Sequence, residues 1–215
     1  MPWEHDCNLA AAAGLDAGTA KRWHEIADAI ELYAAIEDLD PALLTAVAFV
    51  ESRFNPRAVS KANARGIMQL IPVTGADMAK RLKISPFDFF NPEHSIAAGA
   101  HYLGRLRNRW KGRPDDWAIA SYYAGAGNVA KYGPGKYDGY VRKVRTAWDA
   151  VYQTRRRCQG SAEPAPKWQP GARPTTPKTT TRPSTSTRPA PAEAGGGGGG
   201  LLILAALALL GAARG

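Results

Sequence analysis

A change of composition near residue 158 most limits what this chain can fold into. From Gln159 to Ala194 the residues are mostly Pro, Thr, Ser, Lys and Arg, as in "RPTTPKTTTRPSTSTRPAPAEA". Such a stretch buries too little apolar surface to offset the entropy of ordering it, and it reads as an extended spacer. Six glycines, Gly195 to Gly200, and the apolar run "LLILAALALLGAA" follow. Any core must therefore come from the residues before the spacer. The expected organisation is a lead-in over 1–19, a folded domain over 20–157, a basic linker over 158–194, and a Gly run with an apolar segment over 195–215.

The tail also carries most of the charge. The chain holds 28 Lys and Arg against 19 Asp and Glu, and 9 of those bases but only 2 of the acids lie beyond residue 154. The net +9 therefore says little about the folded part. A basic tail can hold an anionic polymer or lipid headgroups, or it can be a solvated linker. No specific nucleic-acid contact is expected, and the oligomeric state is not legible. As a helix the 13-residue apolar run would span about 20 Å, against about 30 Å of hydrocarbon core. A marginal membrane anchor and an interfacial segment both fit residues 195–213. The start, "MPWEHDCNLAAAAGLDAG", lacks the basic opening of a secretory signal, and acids interrupt its small-residue run. Cys7 and Cys158 fit two separate thiols or one disulfide closing a long loop. His5, His24, His94 and His101 show no metal-ligand spacing, and no cofactor or metal is expected.

Within the foldable part the apolar residues recur at helical spacing. Trp23, Ile26, Ile30, Tyr33 and Ile36 predict a helix over Lys21 to Leu39, with Thr19 as its N-cap. Asp40-Pro41 opens the next, with Pro at its first position, and this helix should stop near Asn55 because Pro56 disfavours helix before it. Residues 57–72 read as irregular. A helix capped by Thr74 should run to about Leu82, and others over Ile96–Trp110, Asp115–Asn128 and Tyr140 to about Arg155. No segment offers repeated strand alternation. The expected fold class is all-α, with enough chain to bury a real core.

One side chain stands out against this pattern. Leu43, Val47, Val50 and Phe54 form an apolar stripe, and Glu51 sits at its edge in the last turn of the helix. The negative end of the helix dipole and the apolar neighbours would both raise its pKa. A carboxylic acid that keeps its proton near neutral pH can serve as a general acid. The same pattern also fits an exposed glutamate on the polar shoulder of its helix.

The following residues bear on that choice. "ESRFNPRAVSKANARGIMQLIPVTG" resembles the first motif of soluble-type lytic transglycosylases, within the lysozyme superfamily. The matching positions are Glu51, Ser52, Phe54, Asn55, Pro56, Ala58, Ser60, Gly66, Ile67, Met68, Gln69, Pro72 and Thr74. "NPEHSIAAGAHYL" is similar to a second motif through Pro92, Ile96, Gly99, Tyr102 and Leu103. "WAIASYYAGAGNVAKYG" is similar to a third, Ala-Leu-Ala-Ala-Tyr-Asn-Ala-Gly-x-x-x-Val, through Ala120, Tyr122, Ala124, Gly125 and Val129. The resemblance covers about residues 39–145. It departs at Asn63, where Gly is usual, at Ser95 and Tyr123, where Asn is usual, and in "GPGKYDGYV", which lacks the family's Glu.

The resemblance implies a lysozyme-like helical domain with a substrate groove, acting on peptidoglycan glycan strands. Glycosidases commonly use two carboxylates, whereas the family uses one acid and the substrate's own acetamido group. Glu51 would be the catalytic acid and then base, yielding a 1,6-anhydromuramoyl product. Ser52, Ser60, Met68, Gln69, Tyr122 and Tyr123 are the expected substrate-binding residues. Each also has a plainer reading: Ser60 as a turn cap, Tyr122 as core and Met68 as packing. A hydrolytic muramidase of the same fold is an alternative, and a non-catalytic wall-binding or envelope-assembly protein is another. The expected location is the cell envelope or a phage virion.

Overall fold

The computed structural model describes residues 16–158. Among them are eight α-helices and one short 3₁₀ turn, with no strand beyond two isolated bridges. The helices are α1 (Ala17–His24), α2 (Ala27–Ile36), α3 (Pro41–Ser52), α4 (Pro72–Leu82), α5 (Pro92–Arg109), α6 (Asp115–Ala124), α7 (Ala126–Tyr132) and α8 (Asp138–Cys158). The 3₁₀ turn, Pro134–Tyr137, joins the last two. The all-α expectation holds. Residues 1–15, including Cys7, and 159–215, including the apolar segment, lie outside the described residues, as does any Cys7–Cys158 pairing. No described helix is long and apolar enough to cross a membrane.

Helix α3 lies at the centre. Ala42 through Ala48 are all buried, Thr45 included, as befits a helix apolar on every side. The hydroxyl of Thr45 donates to the Pro41 carbonyl, so its burial leaves no unpaired proton. As the sequence predicts, Asp40 caps this helix, accepting from the Ala42 amide at 2.8 Å, with Pro41 at its first position. The other carboxylate oxygen of Asp40 accepts from the Trp148 indole on α8 at 3.0 Å. At the far end of α3, Tyr140 in the first turn of α8 reaches Glu51. These two contacts run in opposite chain order, so α3 and α8 lie antiparallel. Helices α2, α5 and α6 complete the layers around them.

Several boundaries differ from the sequence reading. Thr19 is not an N-cap: Asp16 is, accepting both the Thr19 amide and its hydroxyl at 2.9 and 2.6 Å. The single helix expected over 21–39 breaks at Glu25–Ile26, and the bend keeps Trp23, Ile26 and Ile30 all in the core. Thr74 lies inside α4, whose cap position is Ile71 with Pro72 at the first turn. The helix expected over 115–128 divides at Gly125, whose φ of 81° and ψ of 141° suit only glycine. Helix α3 stops at Ser52, before the expected Asn55, because Arg53 and Phe54 both turn left-handed.

Candidate active site

Two successive left-handed residues, Arg53 and Phe54, end α3 abruptly. Non-glycine residues adopt that region at a cost of order 1–2 kcal/mol each, so packing must hold them there. The Phe54 ring is 2 % exposed and sits against Trp23 and Phe49, with centroids 5.5 and 5.7 Å away. The chain is thereby anchored one turn past Glu51, and the carboxyl stays at the helix end instead of being wound into it.

Glu51 is partly buried. Its Oε1 accepts from the Tyr140 hydroxyl at 2.5 Å. Burial raises its pKa from the ordinary 4.5 to about 7, opposed by the Tyr140 hydrogen bond, which favours the charged form. Among the described residues, burial and the Tyr140 hydroxyl are the influences on it. The phenols nearby stay protonated. Burial, then the Glu51 charge, push the Tyr122 and Tyr140 pKa values well above 10.

The loop after α3 folds over on itself beside this acid. Arg65 bridges to Val59 and to Leu70 in antiparallel fashion. Asn63 takes φ 62°, the left-handed turn that an Asn in place of Gly can adopt. The Ser60 hydroxyl accepts from the Ala64 amide at 3.0 Å, so it does cap a turn. The Gln69 side-chain amide donates to the Ala58 and Gly66 carbonyls at 3.2 and 2.9 Å, bracing the loop from inside. The Ser52 hydroxyl donates to the Ile67 carbonyl at 2.8 Å, tying the end of α3 to that loop.

Met68 is a correction. Its side chain is fully buried, packed on Gly99 of α5, so it belongs to the core and not to a substrate surface. Its backbone serves the site instead. The amide donates to the buried Ser95 hydroxyl at 3.2 Å and the carbonyl accepts from the Tyr122 hydroxyl at 2.8 Å. Ser95, where the family pattern has Asn, therefore braces the loop. Tyr122 lies close enough to Glu51 to feel its charge, but its proton goes to the loop.

Tyr123 points the other way. One residue on from the buried Tyr122, it is 63 % exposed. Its ring stacks on Tyr140, centroids 4.7 Å apart and planes 19° from parallel, with the Tyr137 ring edge-on at 6.4 Å. Tyr140 is the residue that sequence reasoning missed. The sequence shows Tyr137 and Tyr140 after the Gly133-Pro134-Gly135 turn, but nothing in that spacing points to Glu51. The site thus comprises one acid, one phenol bonded to it, a second phenol bracing the loop, and an exposed ring stacked on the first.

The family model described as "Transglycosylase SLT domain" matches residues 28–143. The chain is 38 % identical over 130 residues to "Membrane-bound lytic murein transglycosylase C" of Actinobacillus pleuropneumoniae serotype 5b (strain L20), a match covering 54 % of this chain and 35 % of that protein. Among solved structures it is similar to the 70 kDa soluble lytic transglycosylase SLT70 of Escherichia coli. The TM-score is 0.53 at 26 % identity, over 62 % of this chain and 24 % of that one. It is also similar to the 70 kDa soluble lytic transglycosylase solved in complex with bulgecin A, with a TM-score of 0.52 at 26 % identity, over 59 % of this chain and 24 % of that one. The chain thus spans about a third of the curated relative's length and about a quarter of each solved chain. The match to the family model takes in α2 through the first turn of α8, with Glu51, Tyr122 and Tyr140 all inside it, and the chain belongs to the transglycosylase SLT domain family, with its lysozyme-like helical fold.

Proposed function

We propose that this chain is a lytic transglycosylase that cleaves the β-1,4 bond between N-acetylmuramic acid and N-acetylglucosamine in peptidoglycan. The observation that carries the reading is Glu51: a partly buried carboxyl held by one phenol, with a pKa of about 7. A group poised there can give a proton and take one back in the same turnover. In the first step Glu51 protonates the bridging oxygen. The C1–oxygen bond breaks, and the acetamido carbonyl oxygen of the muramoyl unit bonds to C1. In the second, the Glu51 carboxylate takes the proton of the C6 hydroxyl, O6 bonds to C1, and the acetamido oxygen leaves. The product is a 1,6-anhydro ring and no water is consumed. Tyr140 positions the acid, and Tyr122 holds the loop that faces it. Ser60 and Gln69 remain proposed sugar contacts alongside their loop-bracing bonds. The relative's membrane-bound name supports a place of action in the cell envelope, where the basic spacer and the apolar segment 195–213 would act as a tether.

Digestion of purified sacculi followed by mass analysis tests the reading. Anhydromuramoyl products, lighter than hydrolysis products by one water, are expected from the native chain and absent with Glu51→Gln. Reducing-end products would make it a muramidase. Sacculi bound but left intact by the native chain would make it a wall-binding protein.

A further inference from the structure

The exposed ring of Tyr123 has no role in the reaction just described, yet its position is specific. The residue stands where the family pattern carries Asn, a side chain with no apolar face. Its ring leans on Tyr140, whose hydroxyl holds the acid. Those two contacts keep the Tyr123 ring within about 10 Å of the Glu51 carboxylate, less than the length of a trisaccharide. The Tyr137 ring lies beside it, its centroid 6.4 Å away and its plane tilted by 63°, so one face of Tyr123 is backed by Tyr140 while 63 % of the residue is open to solvent.

We propose that the open face of Tyr123 is a platform on which a pyranose ring of the glycan strand stacks beside the scissile bond. A β-1,4-linked N-acetylhexosamine presents a face of C–H groups flanked by hydroxyl and acetamido groups. A tyrosine ring matches it with an apolar, electron-rich face and a polar rim. Preorganisation adds to the fit. The stacking on Tyr140, with Tyr137 alongside, holds the ring in place before ligand arrives, so little rotamer entropy is left to lose on binding. Helix α6 sets the geometry: successive residues turn by about 100°, which sends Tyr122 inward and Tyr123 outward from adjacent positions. This inference rests on the proposed glycan substrate and deepens it, since it assigns a sugar subsite to a position where the family pattern has none of this chemistry.

The test separates binding from cleavage. A soluble N-acetylglucosamine pentamer is titrated calorimetrically into the full chain carrying Glu51→Gln, with and without a change at Tyr123. Adding Tyr123→Ala or Tyr123→Asn should weaken affinity about tenfold, the scale of losing one well-placed aromatic contact. Tyr123→Phe and Tyr123→Trp should stay within about twofold of the parent, since both keep a stacking face. Equal affinity in the alanine variant overturns the platform, and so does failure of the parent to bind the pentamer. In the active background, the alkaline limb of the activity profile should stay put in Tyr123→Ala. A shifted limb would mean that Tyr123 only props Tyr140, and would overturn the proposal. Sacculus digestion by the native chain reports separately on the reaction, so either claim can fail alone.

Discussion

At the residue scale, Glu51 is governed by two opposed influences. Burial favours its neutral form, and the Tyr140 hydroxyl at 2.5 Å favours its charged form. The balance at about 7 therefore depends on a phenol from another helix. Replacing Tyr140 with Phe removes the lowering influence, so the Glu51 pKa must rise. A hydrogen bond to a charged group is worth roughly 1.5–3 kcal/mol, which corresponds to a shift of about one to two pH units. The alkaline limb of kcat/KM should move upward accordingly, while kcat falls because the acid is less well aimed. A pH–rate series on solubilised glycan strands checks this, and an unmoved limb would reduce Tyr140 to packing. An acid on an apolar stripe drew attention to Glu51, but that pattern fits an exposed glutamate equally well, and it was the motif after it that favoured the buried reading. The reason for its shift was half legible: the apolar surroundings were visible in the stripe, whereas the opposing Tyr140 hydrogen bond was not. Tyr140 was not legible, because its partner is 89 positions away and nothing local marks a tyrosine in a helix's first turn as a hydrogen-bond donor to a remote acid.

At the scale of elements, the site depends on how closely the loop 57–71 approaches α5. Gly99 makes that approach possible. A methyl group placed there would lie 2.5 Å from Met68 Cγ and 2.6 Å from its Cβ, which are near-backbone atoms that cannot swing clear. Gly99→Ala should thus push the loop away and carry the Met68 carbonyl off the Tyr122 hydroxyl. Overpacking of this kind costs roughly 1–3 kcal/mol, measurable as a lower midpoint in urea denaturation. Loss of activity should exceed that predicted from the unfolded fraction, because the folded state itself is displaced. Activity that tracks stability alone would argue that the loop is not part of the site. Helix existence was largely readable, since periodicity reports which face is buried. The breaks were less so. Gly125 stands in plain view in the sequence, but the bend at Glu25–Ile26 has no Gly or Pro, and only the joint burial of Trp23, Ile26 and Ile30 accounts for it. The cap at Asp16 rather than Thr19 turns on the stronger, carboxylate acceptor lying three residues earlier.

At the scale of the whole molecule, the proposed catalytic acid weakens the fold. In the folded chain Glu51 holds its proton up to about pH 7, and in the unfolded chain only to 4.5. Between those values the folded state binds more protons, so unfolding releases them and stability falls as pH rises through that window. Below 4.5 both states are protonated and the effect vanishes. Above 7 the loss is complete. The separation of the two values corresponds to an upper limit of about 3 kcal/mol, less whatever the part-exposed carboxyl recovers from solvent. Glu51→Gln removes the titration, so the variant should match the native chain at pH 4 and exceed it in stability by about 2–3 kcal/mol at pH 8. Urea denaturation at a series of pH values measures the difference. Equal stabilities at pH 8 would mean that the carboxylate is solvated in the folded chain, and the acid's poise for proton transfer would then need another origin. A variant more stable than the native chain at neutral pH, yet unable to cut sacculi, would place Glu51 among residues kept for chemistry at the expense of the fold.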